Sequence, residues 1–183
     1  MKLTSIAAVS MFLASSACAD PTEDEERFLK IEGADPSYRV REMETFKKSD
    51  FPAGIIDLIQ GYDWGSADGS LPARFQGYRL DLNKDGQKEY FIETIYGGSG
   101  GPAFMVLACI RDKWSVILDF QGGFGIVPTS SGWPKIVSTS RGGGGTFAKL
   151  HFEFEAGQYR ETIRESYGRG IITKKVIPKA AKG

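Results

Sequence analysis

The chain has 183 residues, enough for one domain with a sizeable hydrophobic core and too few for two domains of ordinary size. Apolar residues make up 41% and charged residues 25%, a composition that excludes a disordered chain and a largely membrane-embedded one. The 23 basic residues balance 23 acidic ones, which argues against a nucleic-acid partner, since a general nucleic-acid binder carries a basic surplus.

Residues 1–19 have the pattern of a secretory signal peptide. A basic start precedes an apolar run over 6–14 that is too short for a permanent membrane span. A small-x-small pattern then predicts cleavage near Ala19. We therefore expect a periplasmic or secreted product with no transmembrane segment in the mature chain. Lipid attachment at Cys18 is the alternative, which the serines before it disfavour because lipoprotein signals usually carry an aliphatic residue there.

Helical patterns predominate in residues 20–76, the N-terminal part. Thr22 and Glu25 have the spacing of a capping box, which predicts that a first helix starts there. Apolar residues at helical spacing predict a second helix over 37–48. A third helix is predicted over 50–60, with a proline in its first turn and a glycine past its end.

From residue 77 the pattern changes to short strands separated by turns, which predicts an antiparallel β-meander of seven or eight strands over 77–177. We expect strands near 77–82, 89–96, 103–111, 114–120, 124–128, 134–139, 146–154 and 158–164, followed by a final strand over 170–177. Residues 178–183 form a basic tail. The predicted fold class is α+β, with N-terminal helices packed on a mainly antiparallel meander in one domain.

One acidic loop carries the most specific chemical pattern. Residues 81–89 read Asp-Leu-Asn-Lys-Asp-Gly-Gln-Lys-Glu, with oxygen-bearing side chains on alternate residues and glycine at the sixth position. Alternating oxygen ligands around a sharp turn are how a short loop surrounds Ca²⁺. Because the flanking residues predict strands, the sequence predicts a strand–loop–strand calcium site. The alternative is a polar turn without metal, since Asp, Asn and Gly also initiate turns.

The predicted calcium ligands are five residues of this loop, with water completing the coordination. Asp81, Asn83 and Asp85 would supply side-chain oxygens. Gln87 would supply its backbone carbonyl and Glu89 its carboxylate.

The loop and the Tyr-Phe-Ile that follows it resemble the cation loop of FG-GAP and VCBS-type repeats, found in integrin-like propellers and in many exported bacterial proteins. The later Trp114-Ser-Val, Gly132-Trp133-Pro and Phe154-Glu-Ala-Gly-Gln-Tyr159 are similar to small periplasmic proteins with a single such loop. The resemblance covers roughly residues 77–165. It implies the same five metal contacts and a binding or structural role. Only one loop occurs, so a complete propeller of several blades is not expected.

Glycine is concentrated in three clusters, at 97–101, 122–125 and 142–145. If the strands alternate up and down, these clusters gather at one end of the sheet, opposite the calcium loop. Glycine permits close backbone approach, so we expect a binding surface there. Its predicted residues are Gly98, Ser99, Gly100, Phe124, Gly143 and Gly144. The alternative is that the clusters are sheet bends or flexible loops.

Enzymatic chemistry has little support in the sequence. Residues 97–101 satisfy G-x-S-x-G, but a nucleophile elbow needs a helix after it, and 103–111 predicts a buried strand. His151, which is the chain's one histidine, lies in a predicted strand where a structural role is the better expectation. We therefore expect no enzymatic activity.

The expected function is that of an exported binding or interaction protein, such as an envelope inhibitor or an immunity-type factor, with a protein or glycan of the cell envelope as partner. The alternative is a hydrolase of cell-wall or glycan material that uses an acid pair. That pair would come from Asp63, Asp68, Glu93 and Asp119.

Overall fold

A computed structural model of the protein describes residues 22–38, 42–62, 64, 70–96, 100–130 and 132–178. The predicted signal peptide and its cleavage site near Ala19 lie outside the described residues.

The described residues form ten β-strands in two antiparallel sheets of five, and within each sheet consecutive strands are neighbours. The first sheet contains β1 (Glu44–Phe46), β2 (Phe75–Leu80), β3 (Glu89–Tyr96), β4 (Pro102–Ile110) and β5 (Lys113–Gln121). The second contains β6 (Gly123–Val127), β7 (Lys135–Arg141), β8 (Phe147–Glu155), β9 (Gln158–Gly168) and β10 (Ile171–Val176). The helices are α1 (Glu23–Leu29) and α2 (Ile55–Gln60), with 3₁₀ turns at Pro36–Tyr38 and Lys48–Asp50.

The two sheets pack face to face around one hydrophobic core. The buried side chains between them come from both sheets, among them Phe91, Val106 and Phe120 from the first and Ile136 and Phe152 from the second. Because consecutive side chains of a strand point to opposite faces, each central strand of the first sheet contributes alternate residues to this core. The sandwich therefore buries the inner face of each sheet.

The outer faces of the sheets are covered by the helices. On the first sheet, Ile55 and Ile59 of α2 pack with Ile92 and Met105, and all four side chains are fully buried. This second buried face explains why β3 and β4 read as continuous apolar runs in the sequence. On the second sheet, Phe28 of α1 provides the cover, packing with aromatic side chains of β8 and β9.

The chain passes from one sheet to the other at Gly122. Its amide donates to the carbonyl of Pro102 in β4 at 2.8 Å, which continues the pairing of the first sheet. The next residue, Gly123, already pairs with Thr139 of β7 in the second sheet. Gly122 has φ +99°, and a Cβ at this position would lie 2.0 Å from the carbonyl oxygen of Thr139. Both the left-handed backbone and the close approach require glycine here.

The predicted fold class is wrong. Instead of N-terminal helices packed on one meander, the protein is mostly β, with two five-stranded antiparallel sheets and two short helices in its described part. The predicted strands themselves occur close to their expected positions, and the final strand over 170–177 is β10. The split into two sheets was missed because β5 and β6 look like one more hairpin, whereas each pairs with a different sheet.

The predicted second helix over 37–48 is also wrong. Its C-terminal part is β1, in which Phe46 is 2% exposed and pairs with Phe75 of β2. Met43, expected on the apolar side of that helix, is 40% exposed. Pairing with β2, which is distant in sequence, outweighs the weak helical spacing of these few apolar residues.

Two further N-terminal predictions have mixed outcomes. The capping box of Thr22 and Glu25 is formed at the start of α1, as predicted. The third helix ends before Gly61, as predicted, but it starts at Ile55 and not at residue 50. Asp50 instead accepts the amide of Lys47 at 2.7 Å within a 3₁₀ turn.

No helix in the described ranges has the length and apolar character needed to cross a membrane.

We expect Gly122→Ala to destabilise the protein by at least about 2 kcal/mol, because it strains the left-handed backbone and brings Cβ against Thr139. Urea unfolding followed by circular dichroism measures the effect. Gly143→Ala is the matched control, since a Cβ there meets nothing within 4 Å, and it should change stability by less than about 0.5 kcal/mol. Equal unfolding midpoints for the two variants would contradict the role assigned to Gly122.

Candidate metal centre

The acidic loop connects two paired strands of the first sheet. β2 ends at Leu80, which pairs with Glu89 at the start of β3, so residues 81–88 form the connection. Lys84 has φ 62° and Gly86 has φ 89°, and these two left-handed residues turn the chain sharply. The strand–loop–strand arrangement predicted from the sequence is therefore present.

Side-chain oxygens of the loop accept backbone amides of the same loop. Oδ2 of Asp81 accepts the amide of Gly86 at 3.1 Å. Oδ1 of Asn83 accepts the amide of Asp85 at 3.1 Å, and Oδ1 of Asp85 accepts the amide of Gln87 at 2.7 Å. Asn83 also donates its side-chain amide to Oδ2 of Asp85 at 2.8 Å. The loop thus holds its shape through its own Asx-type turns.

Glu89 is the buried acid of this site. Its side chain is 2% exposed, and Oε2 accepts the amide of Leu82 at 2.7 Å. The pKa of Glu89 is raised to about 7, mainly by burial; the negative charges of Asp85 and Asp81 act in the same direction, and the hydrogen bond from the Leu82 amide opposes them. The carboxyl group therefore changes its charge near neutral pH.

Asp81 carries an oxygen that the fold leaves without a donor. Its Oδ1 is buried and accepts no hydrogen bond from the described residues. The backbone carbonyl of Asp81 accepts the hydroxyl of Tyr38 at 3.1 Å, which ties the loop to the 3₁₀ turn at Pro36–Tyr38. Tyr38 is a site residue that the sequence did not reveal, because 43 positions separate it from Asp81 and no pattern links the two.

The ligand chemistry fits a hard divalent cation, since all five predicted ligands would bind through oxygen and Oδ1 of Asp81 has no hydrogen-bond partner among the described residues. Nevertheless, within the described ranges no three His, Cys, Asp or Glu residues are grouped so that they could hold a metal ion together. In this structure Asp85 accepts the amide of Gln87 and Glu89 accepts the amide of Leu82. To bind a metal ion, the carboxylates of Asp85 and Glu89 would have to release the backbone amides that they accept and contact the cation instead.

Two of the three glycine clusters meet in the fold. A Cβ on Gly100 would lie 2.4 Å from the side chain of Gln121, and one on Gly101 would lie 3.3 Å from Gly122. Gly100 and Gly101 directly precede β4, whereas the acidic loop directly precedes β3. Gly98 and Ser99 lie outside the described residues.

The other predicted binding residues lie in different surroundings. At Gly143 and Gly144 a Cβ would meet nothing within 4 Å, so they form an open turn. Phe124 is packed between the sheets, where its ring stacks on that of Phe91 at 5.0 Å. The up-and-down count of connections does not apply beyond Gly122, because that residue links two sheets and closes no hairpin.

The residues proposed for hydrolytic chemistry are not brought together where the structure describes them. Glu93 pairs with Phe104 and Asp119 with Met105, and paired residues share a face, so these two acids lie on opposite faces of the first sheet. Asp63 and Asp68 lie outside the described residues. The segment after the G-x-S-x-G pattern is strand β4, as expected, and not the helix that follows a nucleophile elbow.

We expect Glu89 to make stability depend on pH in the absence of metal. The pKa of Glu89 is 4.5 in the unfolded chain and about 7 in the folded state. The contribution of this group to stability is therefore greatest below pH 4.5, and the free energy of unfolding falls by up to about 3 kcal/mol as the pH rises through 7. Glu89→Gln mimics the neutral carboxyl group and should remove this loss. The measurement is urea unfolding with a chelator at several pH values between 5 and 8.

The exposed Glu42 provides the control, and Glu42→Gln should keep the pH dependence of the wild type. If the free energy of unfolding changed with pH in the same way in the wild type and in Glu89→Gln, the assignment of a buried, titrating carboxyl group to Glu89 would be wrong.

Comparisons of the chain with protein-family models, with curated proteins and with solved structures found no match. The resemblance to FG-GAP and VCBS-type repeats therefore rests on the acidic loop and the later sequence segments named above, and stays a prediction.

Proposed function

We propose that the protein is an exported, non-enzymatic binding module in which Ca²⁺ stabilises the 81–89 loop. The observation that supports this most directly is the buried Oδ1 of Asp81, which lacks a hydrogen-bond donor in the described part of the chain. A buried acceptor without a partner destabilises the folded state, and a bound cation would offset that cost.

The electrostatics of the loop support the same proposal. Asp81, Asp85 and Glu89 are close enough for the first two to raise the pKa of the third. A divalent cation would remove this mutual repulsion while Asn83 and the carbonyl of Gln87 complete the oxygen shell. Calcium would supply positive charge and organise the loop, and it would take part in no reaction.

Export and the partner belong to the proposal as well. The signal pattern of residues 1–19 supports a periplasmic or secreted location, with a lipid anchor at Cys18 as the alternative. We assign partner binding to the glycine-rich end of the first sheet, around Gly100 and Gly101, where the sequence predicts a binding surface. The partner would be a protein or glycan of the cell envelope.

Calcium should raise the melting temperature of the purified protein, because a ligand that binds only the folded state stabilises it. At a concentration about 100 times Kd the gain is about 2.7 kcal/mol, which corresponds to a rise of roughly 5 to 10 °C for a chain of this length. Calorimetry with Ca²⁺ up to about 10 mM covers the affinities of extracellular calcium modules. Magnesium at equal concentration should produce a smaller rise, because it demands a tighter octahedral site.

Asp81→Asn should abolish the calcium-dependent rise while keeping the acceptor for the Gly86 amide. Asp112→Asn is the matched control, because Asp112 is an exposed turn residue with φ 63°, a conformation that asparagine tolerates, and it loses the same charge. No shift with the wild type, or an equal loss in both variants, would refute calcium binding at the loop.

We expect the purified protein to release no soluble fragments from peptidoglycan, which chromatography of the reaction supernatant would measure. The separation of Glu93 and Asp119 by the first sheet supports this expectation, because a carboxylate pair for glycan cleavage must flank one bond. Release that is lost in Glu93→Gln or Asp119→Asn would establish the hydrolase alternative.

A further inference from the structure

A large cleft lies on the outer face of the second sheet, away from the acidic loop. It has a volume of about 680 Å³, within the range of small-molecule binding sites. The floor is formed by outward-facing side chains of β7, β8 and β9. One wall comes from α1 and residues 30–32, and the other from β10.

The lining of the cleft has a positive charge. Arg27, Lys30, Lys135, Lys149 and Lys174 line it, against two acids, Glu32 and Glu165. Lys174 is paired with Glu165 at 3.4 Å, and Lys135 is paired with Glu153 at 2.7 Å. Once these two ion pairs are set aside, three cationic side chains of the lining face one acid, Glu32. The net positive charge favours an anion in the cleft over a cation.

Lys149 is the cation best placed to bind such an anion. Its ammonium group donates to the carbonyl of Lys30 at 2.9 Å and lies 5.0 Å from the ring centre of Phe28. It forms no ion pair with a described carboxylate. An ammonium group has three N–H donors, so two remain for a ligand. Burial lowers the pKa of Lys149, against the opposing effect of the carboxylates of Glu165 and Glu32.

His151 provides a second polar group in the floor. It follows Lys149 by two residues on β8, so the two side chains leave the same face of the sheet about 7 Å apart. Its Nε2 is buried and has no hydrogen-bond partner in the described part of the chain; Oε1 of Glu165 lies 3.8 Å away, too far for a hydrogen bond.

The rest of the cleft is apolar. Aliphatic and aromatic side chains from five elements and the segment after α1 line it: Phe28, Ile31, Val127, Val137, Tyr167 and Ile172. Ile172 is 60% exposed, which is unusual for a large aliphatic side chain and places apolar surface at the mouth of the cleft. A ligand that fills the cleft must therefore combine a charged head with an apolar body.

We propose that this cleft binds an amphipathic monocarboxylate, such as a medium-chain fatty acid. The carboxylate head lies at Lys149 and His151, and the hydrocarbon chain extends along Tyr167 toward Ile172. This site is separate from the calcium loop, and ligand binding at the cleft does not depend on the function proposed for that loop.

The test uses octanoate as the probe, with octanol as the neutral analogue and octylamine as the cationic one. Because His151 is the chain's one histidine, its imidazole resonances report on the floor of the cleft without an assignment problem. In a buffer with chelator, we expect octanoate to shift these resonances in a saturable way and the other two probes to leave them unchanged. Equal effects of octanoate and octanol, or no saturable shift with octanoate, would overturn the proposal.

A pair of lysine variants locates the head group. Lys149→Gln should weaken octanoate binding by about tenfold or more, as measured by isothermal titration calorimetry. Lys175→Gln loses the same charge from the opposite face of β10, where Lys175 pairs with Arg164, and should bind octanoate like the wild type. Equal weakening in both variants would mean that net charge attracts the probe and that Lys149 is not its partner. Because the measurements are made with chelator, failure of the calcium proposal leaves their outcome unaffected.

Discussion

The fold depends on the close approach of Gly122 to β7. At this point the chain leaves the first sheet and joins the second within one residue, and the left-handed backbone leaves no space for a side chain. Phe124 follows directly and enters the core between the sheets, where it stacks on Phe91 and contacts Phe120 at 5.3 Å between ring centres. The bend at Gly122 therefore directs the ring of Phe124 into the interface between the two sheets. Without this crossing, each meander would expose a full apolar face to water.

Strand β3 connects the core to the acidic loop. Its first residue, Glu89, is buried and hydrogen-bonded to Leu82, and its next residues supply both buried faces of the first sheet. Tyr38 holds the loop from the other side through the carbonyl of Asp81. A change in the loop is thus transmitted to the sandwich by packed and hydrogen-bonded groups, which is why a cation bound there would alter the stability of the whole domain.

The two outer faces of the sandwich differ in how well they are covered. On the first sheet, Phe51, Phe75 and Tyr90 make edge or tilted ring contacts and join the side chains under α2. On the second sheet, α1 has seven residues, just under two turns, and the side chain that it buries is Phe28. This short helix leaves a cleft beside it, in which polar groups such as Lys149 are partly desolvated and apolar side chains remain accessible.

The sequence by itself determined the features that depend on neighbouring residues. Thr22 and Glu25 specify their capping box within one turn, and residues 81–89 specify a sharp connection between two strands, because the interacting groups lie a few positions apart. The tertiary structure decided which strands share a sheet. It made 44–46 a strand through pairing with β2, placed Phe124 inside, and brought Tyr38 to Asp81. These contacts join residues tens of positions apart, and a local pattern of apolar and polar residues carries no information about which distant partner will cover it.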